Sequence, residues 1–219
     1  MAIEARSGGG RGILVGTLFS SRSLFTSNMA CGVIRPSKSQ YSSPVVCCSK
    51  KDGKLRLCVD YRLLNSRTRK DNYCLPRVDE ILDSLRRAKY FSRLDLKSGY
   101  YQISIREDHT PYTSFTVWPL GFWEHNRLAF GLCNSPGTFQ RVMEDCFSDS
   151  NLRIMYIYID DIIVFSETAE EQLDRLRSVF QRLRDCGLKL SLKKCAFAQS
   201  QISFLGHLIS DEVVRKLRK

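Results

Sequence analysis

Residues 154–165 place two short apolar runs around a pair of acids. Ile154-Met155-Tyr156-Ile157-Tyr158-Ile159 leads into Asp160-Asp161, and Ile162-Ile163-Val164-Phe165 follows. Each run is mostly β-branched or aromatic, apolar on both faces, and short. The pattern predicts a buried β-hairpin with its carboxylates at the tip. Neighbouring carboxylates repel, and partial burial penalises their ionised form further. On its own the pair fits either an exposed acidic turn or a site for a divalent cation. A hard ion such as Mg²⁺ takes a few carboxylates together with phosphate oxygens and water.

The rest of the chain supplies the elements that such a hairpin packs against. Val45–Cys48 and Leu55–Val59 flank the turn signal Lys51-Asp52-Gly53-Lys54 and predict a hairpin. Pro76 opens a helix with Val78, Ile81, Leu82 and Leu85 on one face. Ser135-Pro136 opens a second, with Ser135 as N-cap and a stripe of Phe139, Val142, Met143, Cys146 and Phe147. Thr168 and Glu171 form a capping box for a third, with Leu173, Leu176, Val179, Phe180 and Leu183 inward and Gly187 at its end. Phe91–Leu96, Tyr101–Ile105 and Ser114–Val117 are β-prone, and Gln201–Ile209 reads as a final hairpin. Several strands are joined by turns too short for crossovers, so the expected class is α+β with an antiparallel sheet backed by helices.

Composition narrows the functional classes. With 43% hydrophobic and 26% charged residues the chain can build a core, which excludes wholesale disorder. No apolar run approaches the roughly 18 residues of a membrane span. The net charge of +11 favours a polyanionic partner. Residues 50–71 hold eight basic side chains (Lys50, Lys51, Lys54, Arg56, Arg62, Arg67, Arg69, Lys70) against three acids (Asp52, Asp60, Asp71). The nine cysteines lack C-x-x-C spacing and read as free thiols in a reducing compartment. Residues 1–30 are Gly-, Ser- and Arg-rich with Glu4 as their one acid. They read as a disordered or adventitious leader, with an organelle-targeting peptide as the alternative and a cytoplasmic or nuclear protein otherwise.

A third acid, Asp95, ends the β-prone run Arg93-Leu94-Asp95-Leu96. Asp95 with Asp160 and Asp161 would form a three-carboxylate cluster suited to two metal ions and to phosphoryl transfer. Lys51, Lys54 and Arg56 are placed to meet a triphosphate, Arg56 through a bidentate fork.

From about Cys31 to Ser210 the ordered motifs resemble the reverse transcriptase of gypsy-like LTR retrotransposons. They are Ile34-Arg35-Pro36-Ser37, Lys51-Asp52-Gly53-Lys54, Val59-Asp60-Tyr61-Arg62-Leu63-Leu64-Asn65, Leu75-Pro76-Arg77, and Tyr90-Phe91-Ser92 with Leu94–Tyr100. Phe130-Gly131-Leu132, Asn134-Ser135-Pro136, Thr138-Phe139-Gln140, Tyr158-Ile159-Asp160-Asp161, Gly187-Leu188-Lys189-Leu190, Lys194-Cys195 and Phe204-Leu205-Gly206-His207 continue the series.

The resemblance implies a right-hand polymerase fold, with fingers over about 31–90 and again near 112–130, palm elsewhere and the thumb expected to be absent; the leader of residues 1–30 and the basic tail of 211–219 lie outside it. It implies Asp95, Asp160 and Asp161 as metal ligands for two Mg²⁺ (Mn²⁺ as an alternative). Lys194 becomes a candidate general acid, and Lys51, Lys54, Arg56, Tyr100, Phe130, Gly131 and Gln140 line the nucleotide site, Tyr100 as a steric gate. Phe204, Leu205, Gly206 and His207 correspond to the primer grip. Expected partners are a primed RNA or DNA template, dNTPs and the thumb and RNase H regions of a parent polyprotein, with no membrane. The activity implied is RNA-directed DNA polymerisation; the alternative is an inactive nucleic-acid-binding remnant. The pattern departs from the family at Ala129, where proline is usual, at Tyr101, where histidine is usual, and at Trp118 and Trp123.

Overall fold

The computed structural model describes residues 25–49, 55–147, 154–211 and 213–216. The chain divides into two compact units, one of residues 1–68 with 104–132 and one of 69–103 with 133–219.

In the first unit, strands β1 (Ile34–Pro36), β5 (Phe115–Val117) and β6 (Gly121–His125) form an antiparallel sheet in the order β1-β6-β5. Strands β2 (Val45–Ser49) and β3 (Leu55–Val59) pair as the predicted hairpin, followed by helix α1 (Arg62–Arg67). A buried polar knot ties this unit together. Glu124 is 5% exposed, and its carboxylate accepts from Arg35 Nε at 2.7 Å and from the Ser37 hydroxyl at 2.6 Å. Arg35 also pairs with Glu107. Tyr61 is buried and donates its hydroxyl proton to the Thr113 carbonyl at 2.8 Å.

The second unit carries the expected α+β architecture. Helix α2 (Val78–Ser84) precedes β4 (Tyr90–Asp95), and α3 (Ser135–Cys146) precedes β7 (Met155–Tyr158), β8 (Asp161–Ser166) and α4 (Ala169–Asp185). Strand β9 (Ala196–Gln199) completes an antiparallel sheet ordered β7-β8-β4-β9. The strand period of two sends Phe91, Ile163 and Tyr156 to one face, where they join Ile81, Leu82 and Leu85 of α2 with Ile202, Phe204 and Ile209. The last three belong to β10 (Gln201–Phe204) and β11 (His207–Ser210), which pair with β12 (Val214–Lys216) in a second sheet. The opposite face buries Leu94, Ile162, Val164, Met155 and Ile157 on the side of α3 and α4. Because α2 belongs to this core, the first unit ends at Thr68 and not near residue 90.

Three local expectations are corrected. On α4, Leu176, Val179 and Leu183 point inward, but Leu173 and Phe180 are exposed and Gln172 is buried instead. Gln172 satisfies its amide within the unit. It donates to Ser92 Oγ at 2.7 Å and accepts from Ser166 Oγ at 2.8 Å. Residues 99–102 form a 3₁₀ turn rather than the start of a strand. Ser98 enters it in the left-handed region at φ 51°, and Gln102 donates to the Lys97 and Lys189 carbonyls. The N-cap of α3 is Asn134, with Ser135 already inside the helix. The Asn134 side chain is diverted to the Asp71 N–H and the Arg69 carbonyl. Thr168 caps α4 as expected, accepting from the Glu171 N–H at 3.2 Å.

Candidate active site

Strand pairing in the second unit brings the acids together. In the β4–β8 register Asp95 lies directly opposite Asp161, and in β7–β8 Tyr158 lies opposite Asp161. The turn between β7 and β8 contains only Ile159 and Asp160, as the apolar runs around the two acids predict. Ile159 adopts φ 55°, a left-handed conformation that a β-branched residue rarely accepts. Gln140 on α3 holds that turn. Its Oε1 accepts from the Ile159 N–H at 2.8 Å, and its Nε2 donates to the Ile157 carbonyl at 3.1 Å.

Burial pushes the Asp160 carboxyl above its ordinary value, and the Asp95 charge adds to the rise. Burial likewise raises Asp161; Arg93 offsets part of the shift, whereas Asp160 and Asp95 add to it. Lys194, in the 3₁₀ turn Leu192–Lys194, donates to the two Asp95 carboxylate oxygens at 3.2 and 3.4 Å. The Asp95 N–H lies 3.4 Å from the Cys195 sulfur.

The expected three-carboxylate cluster is not preassembled. Among the described residues, no three His, Cys, Asp or Glu side chains converge as a metal site does. The Lys194 ammonium pairs with Asp95 at 3.2 Å. The donor chemistry nonetheless suits a hard divalent cation. The ligands are all oxygen, and two of them carry an ionisation penalty that a cation would remove.

Tyr100 sits beside this centre. Its ring is buried against Phe139 with centroids 5.2 Å apart. Burial and the nearby Asp160 charge push its hydroxyl up to about 12, so it stays protonated at neutral pH. Gly99 is equally confined: a Cβ there would lie 3.1 Å from the Phe139 ring and 3.5 Å from the Asp160 Cβ.

Phe130 and Gly131 belong to the first unit. Phe130 is exposed, and Gly131, at φ 94°, gives its carbonyl to the Asn65 side chain at 2.8 Å. Arg56 lies on β3, and Lys51 and Lys54 lie outside the described residues. Gln140 is fully buried with both ends of its amide engaged by backbone. Leu205 and Gly206, at φ 46° and 77°, form the tight turn between β10 and β11. His207 donates through Nδ1 to the Leu205 carbonyl at 3.0 Å. Sequence reasoning did not single out Arg93, which donates to the Ser203 carbonyl at 2.8 Å and faces Asp161. Its one sequence signal is a cation two residues before Asp95, hence on the same strand face.

A family model described as "Reverse transcriptase (RNA-dependent DNA polymerase)" matches residues 48–209. Over 186 residues the chain is 41% identical to the Retrovirus-related Pol polyprotein from transposon 412 of Drosophila melanogaster, covering 82% of this chain and 15% of that polyprotein. It is 39% identical over 189 residues to the corresponding polyprotein from transposon 297 of the same organism, covering 84% and 18%. The chain thus spans less than a fifth of the length of these relatives. Among solved structures, a foamy viral protease-reverse transcriptase in complex with RNA/DNA hybrid superposes with a TM-score of 0.85 at 29% identity, covering 93% of this chain and 27% of that one. A second foamy viral structure, in complex with double-stranded DNA, gives 0.83 at 31% identity, covering 90% and 34%.

Proposed function

The chain belongs to the reverse transcriptase family, and from that membership we propose that it provides the fingers and palm of an RNA-directed DNA polymerase. The observation that carries this reading is the opposition of Asp95 and Asp161 on paired strands, with Asp160 at the adjoining turn. Asp95, Asp160 and Asp161 would hold two Mg²⁺, with Mn²⁺ able to substitute. When bound, such ions supply Lewis acidity toward a primer hydroxyl and the phosphates of an incoming dNTP.

The chain's own residues supply positioning and proton control. The primer 3′-hydroxyl attacks the α-phosphorus, losing its proton to solvent, and the bond to the departing pyrophosphate breaks. Lys194 stands at the Asp95 end of the site and donates a proton to the departing pyrophosphate. Tyr100 presents a rigid ring backed by Phe139, which excludes a ribose 2′-hydroxyl and selects deoxynucleotides. Arg56 on β3, together with Lys51 and Lys54, engages the triphosphate, with Phe130 and Gly131 contributing. The turn Leu205–Gly206, flanked by Phe204 and His207, presents the primer end. RNA or DNA template pairs with that primer, and phosphate contacts from the basic first unit make binding strongly salt-dependent.

Primer extension on poly(rA)/oligo(dT) with Mg²⁺ tests the reading, with Asp160→Asn as control. Incorporation by the chain and none by the variant is expected. Equal signals from the two would overturn it.

A further inference from the structure

The buried amide of Gln140 is part of a longer chain of hydrogen bonds. Besides the Ile157 carbonyl, its Nε2 donates to Glu144 Oε1 at 2.7 Å, one helical turn further along α3. The other Glu144 oxygen accepts a hydrogen bond from the Tyr73 hydroxyl. Tyr73 is fixed in turn: the Arg141 guanidinium lies 4.7 Å from its ring centroid, and Arg141 pairs with Asp71 at 2.7 Å. Gly137 permits this approach, because a Cβ there would lie 3.1 Å from the Tyr73 Cβ.

The donor and acceptor pattern leaves one orientation. Were the Gln140 amide flipped, its NH₂ would meet the Ile159 N–H, and its oxygen would meet both the Ile157 carbonyl and the Glu144 carboxylate. Glu144 therefore reinforces the orientation that the Ile157 carbonyl and the Ile159 N–H require of Gln140. That end holds a residue in a sparsely populated conformation, the situation in which a surrounding network must over-determine the backbone. Asp160 is the next residue along.

We infer that Tyr73, Glu144 and Gln140 form a positioning relay that fixes the strained Ile159 turn and thereby sets where the Asp160 carboxylate is presented. The relay rests on the polymerase reading for its consequence but not for its existence. Gln140 acts through the turn and not by touching nucleotide. Its loss therefore lowers kcat and raises the divalent-ion concentration the site needs, leaving KM for dNTP in place.

The full chain carrying Gln140→Leu, Glu144→Leu, Glu144→Gln or Tyr73→Phe is compared with the unsubstituted chain in two measurements. The first is hydrogen exchange at the Ile159 amide, which needs no activity. Gln140→Leu is expected to speed exchange by roughly tenfold, the worth of one ordinary hydrogen bond. Glu144→Leu follows in the same direction. Glu144→Gln has the smaller effect of the two, since its carbonyl still accepts from Gln140 while its NH₂ turns to the Tyr73 oxygen. The second is steady-state incorporation across Mg²⁺ and dNTP concentrations. Gln140→Leu should raise the Mg²⁺ concentration for half-maximal rate and lower kcat, with KM for dNTP unchanged. Unaltered Ile159 exchange in Gln140→Leu, or a raised KM at constant kcat, would overturn the relay. If Gln140→Leu does not fold, Tyr73→Phe, which removes only the outermost bond, must shift both readouts in the same direction. An unsubstituted chain that incorporates nothing defeats the polymerase reading, and the exchange comparison still decides the relay.

Discussion

Asp95 and Asp161 are cross-strand partners, each the residue directly opposite the other where β4 and β8 meet the Asp160 turn. Like charges in that relation destabilise a sheet, and burial of Asp160 and Asp161 adds to the cost. Under the proposed function, a bound cation would offset that cost.

Replacing Asp160 and Asp161 together by Asn should therefore raise stability at pH 7 by about 0.5–1 kcal/mol while abolishing incorporation. The sign with pH follows from the raised carboxyls. A folded-state value above the unfolded 3.8 means that ionisation costs stability at neutral pH and that the cost is relieved as pH falls through the folded value. The variant's advantage should vanish below pH 3.8. Denaturant midpoints measure both effects. Mg²⁺ should raise the midpoint of the unsubstituted chain and not of the variant, and equal midpoints for the two at pH 7 would defeat the prediction.

Tyr100 packs through its ring, so its hydroxyl contributes little to shape. Tyr100→Phe should keep discrimination against ribonucleotides, whereas Tyr100→Val should weaken it by roughly tenfold or more. Competing incorporation of dTTP and UTP opposite poly(rA) measures the ratio. An unchanged ratio in Tyr100→Val removes the gate assignment.

Glu124 in the first unit has the opposite pH behaviour. Burial pushes its carboxyl up, but the Ser37 hydroxyl and the Arg35 guanidinium outweigh it and leave the value below the ordinary 4.5. Its ionised form therefore stabilises the fold above pH 4.5, and that contribution is lost as pH falls through the lowered value. Arg35→Met leaves Glu124 buried without its cation and should cost about 2–4 kcal/mol at pH 7. Thermal unfolding at pH 7 and pH 3 should show that cost shrinking at the lower pH.

Gly131 holds φ 94°, a conformation that L-residues rarely adopt, although the space around it is ordinary. Gly131→Ala should cost about 1–3 kcal/mol through backbone strain alone. A denaturation midpoint within error of the unsubstituted chain would place the strain elsewhere.

The parts of the fold that were readable in the sequence are those governed by short-range pattern. The apolar runs around Asp160-Asp161 forced the hairpin, and the stripe Phe139–Phe147 with Pro136 marked α3. The 3.6-residue period of α4 was visible as well, but its buried face was not. Hydrophobicity selects Leu173 and Phe180, while burial goes to Gln172 because Ser92, 80 residues away on β4, and Ser166 at the end of β8 supply its hydrogen bonds. The same non-local logic moved the α3 cap to Asn134 and turned residues 99–102 away from a strand. At the candidate site, Asp95, Asp160 and Asp161 stood out as acids among apolar residues. Gln140 stood out through the resemblance as a nucleotide-site residue, but its hold on the turn did not, because the backbone groups it meets, 17 and 19 residues away, have no side-chain signature.

The sheet order β7-β8-β4-β9 puts the two acid-bearing strands in its interior, each hydrogen-bonded on both sides. Amides so placed open last, and usually only with the whole cooperative unit. Fraying of β7 or β9 therefore leaves the β4–β8 register, and with it the Asp95–Asp161 opposition, intact. Under heat or denaturant the second unit should behave as a single foldon in which loss of the carboxylate pairing coincides with loss of the sheet.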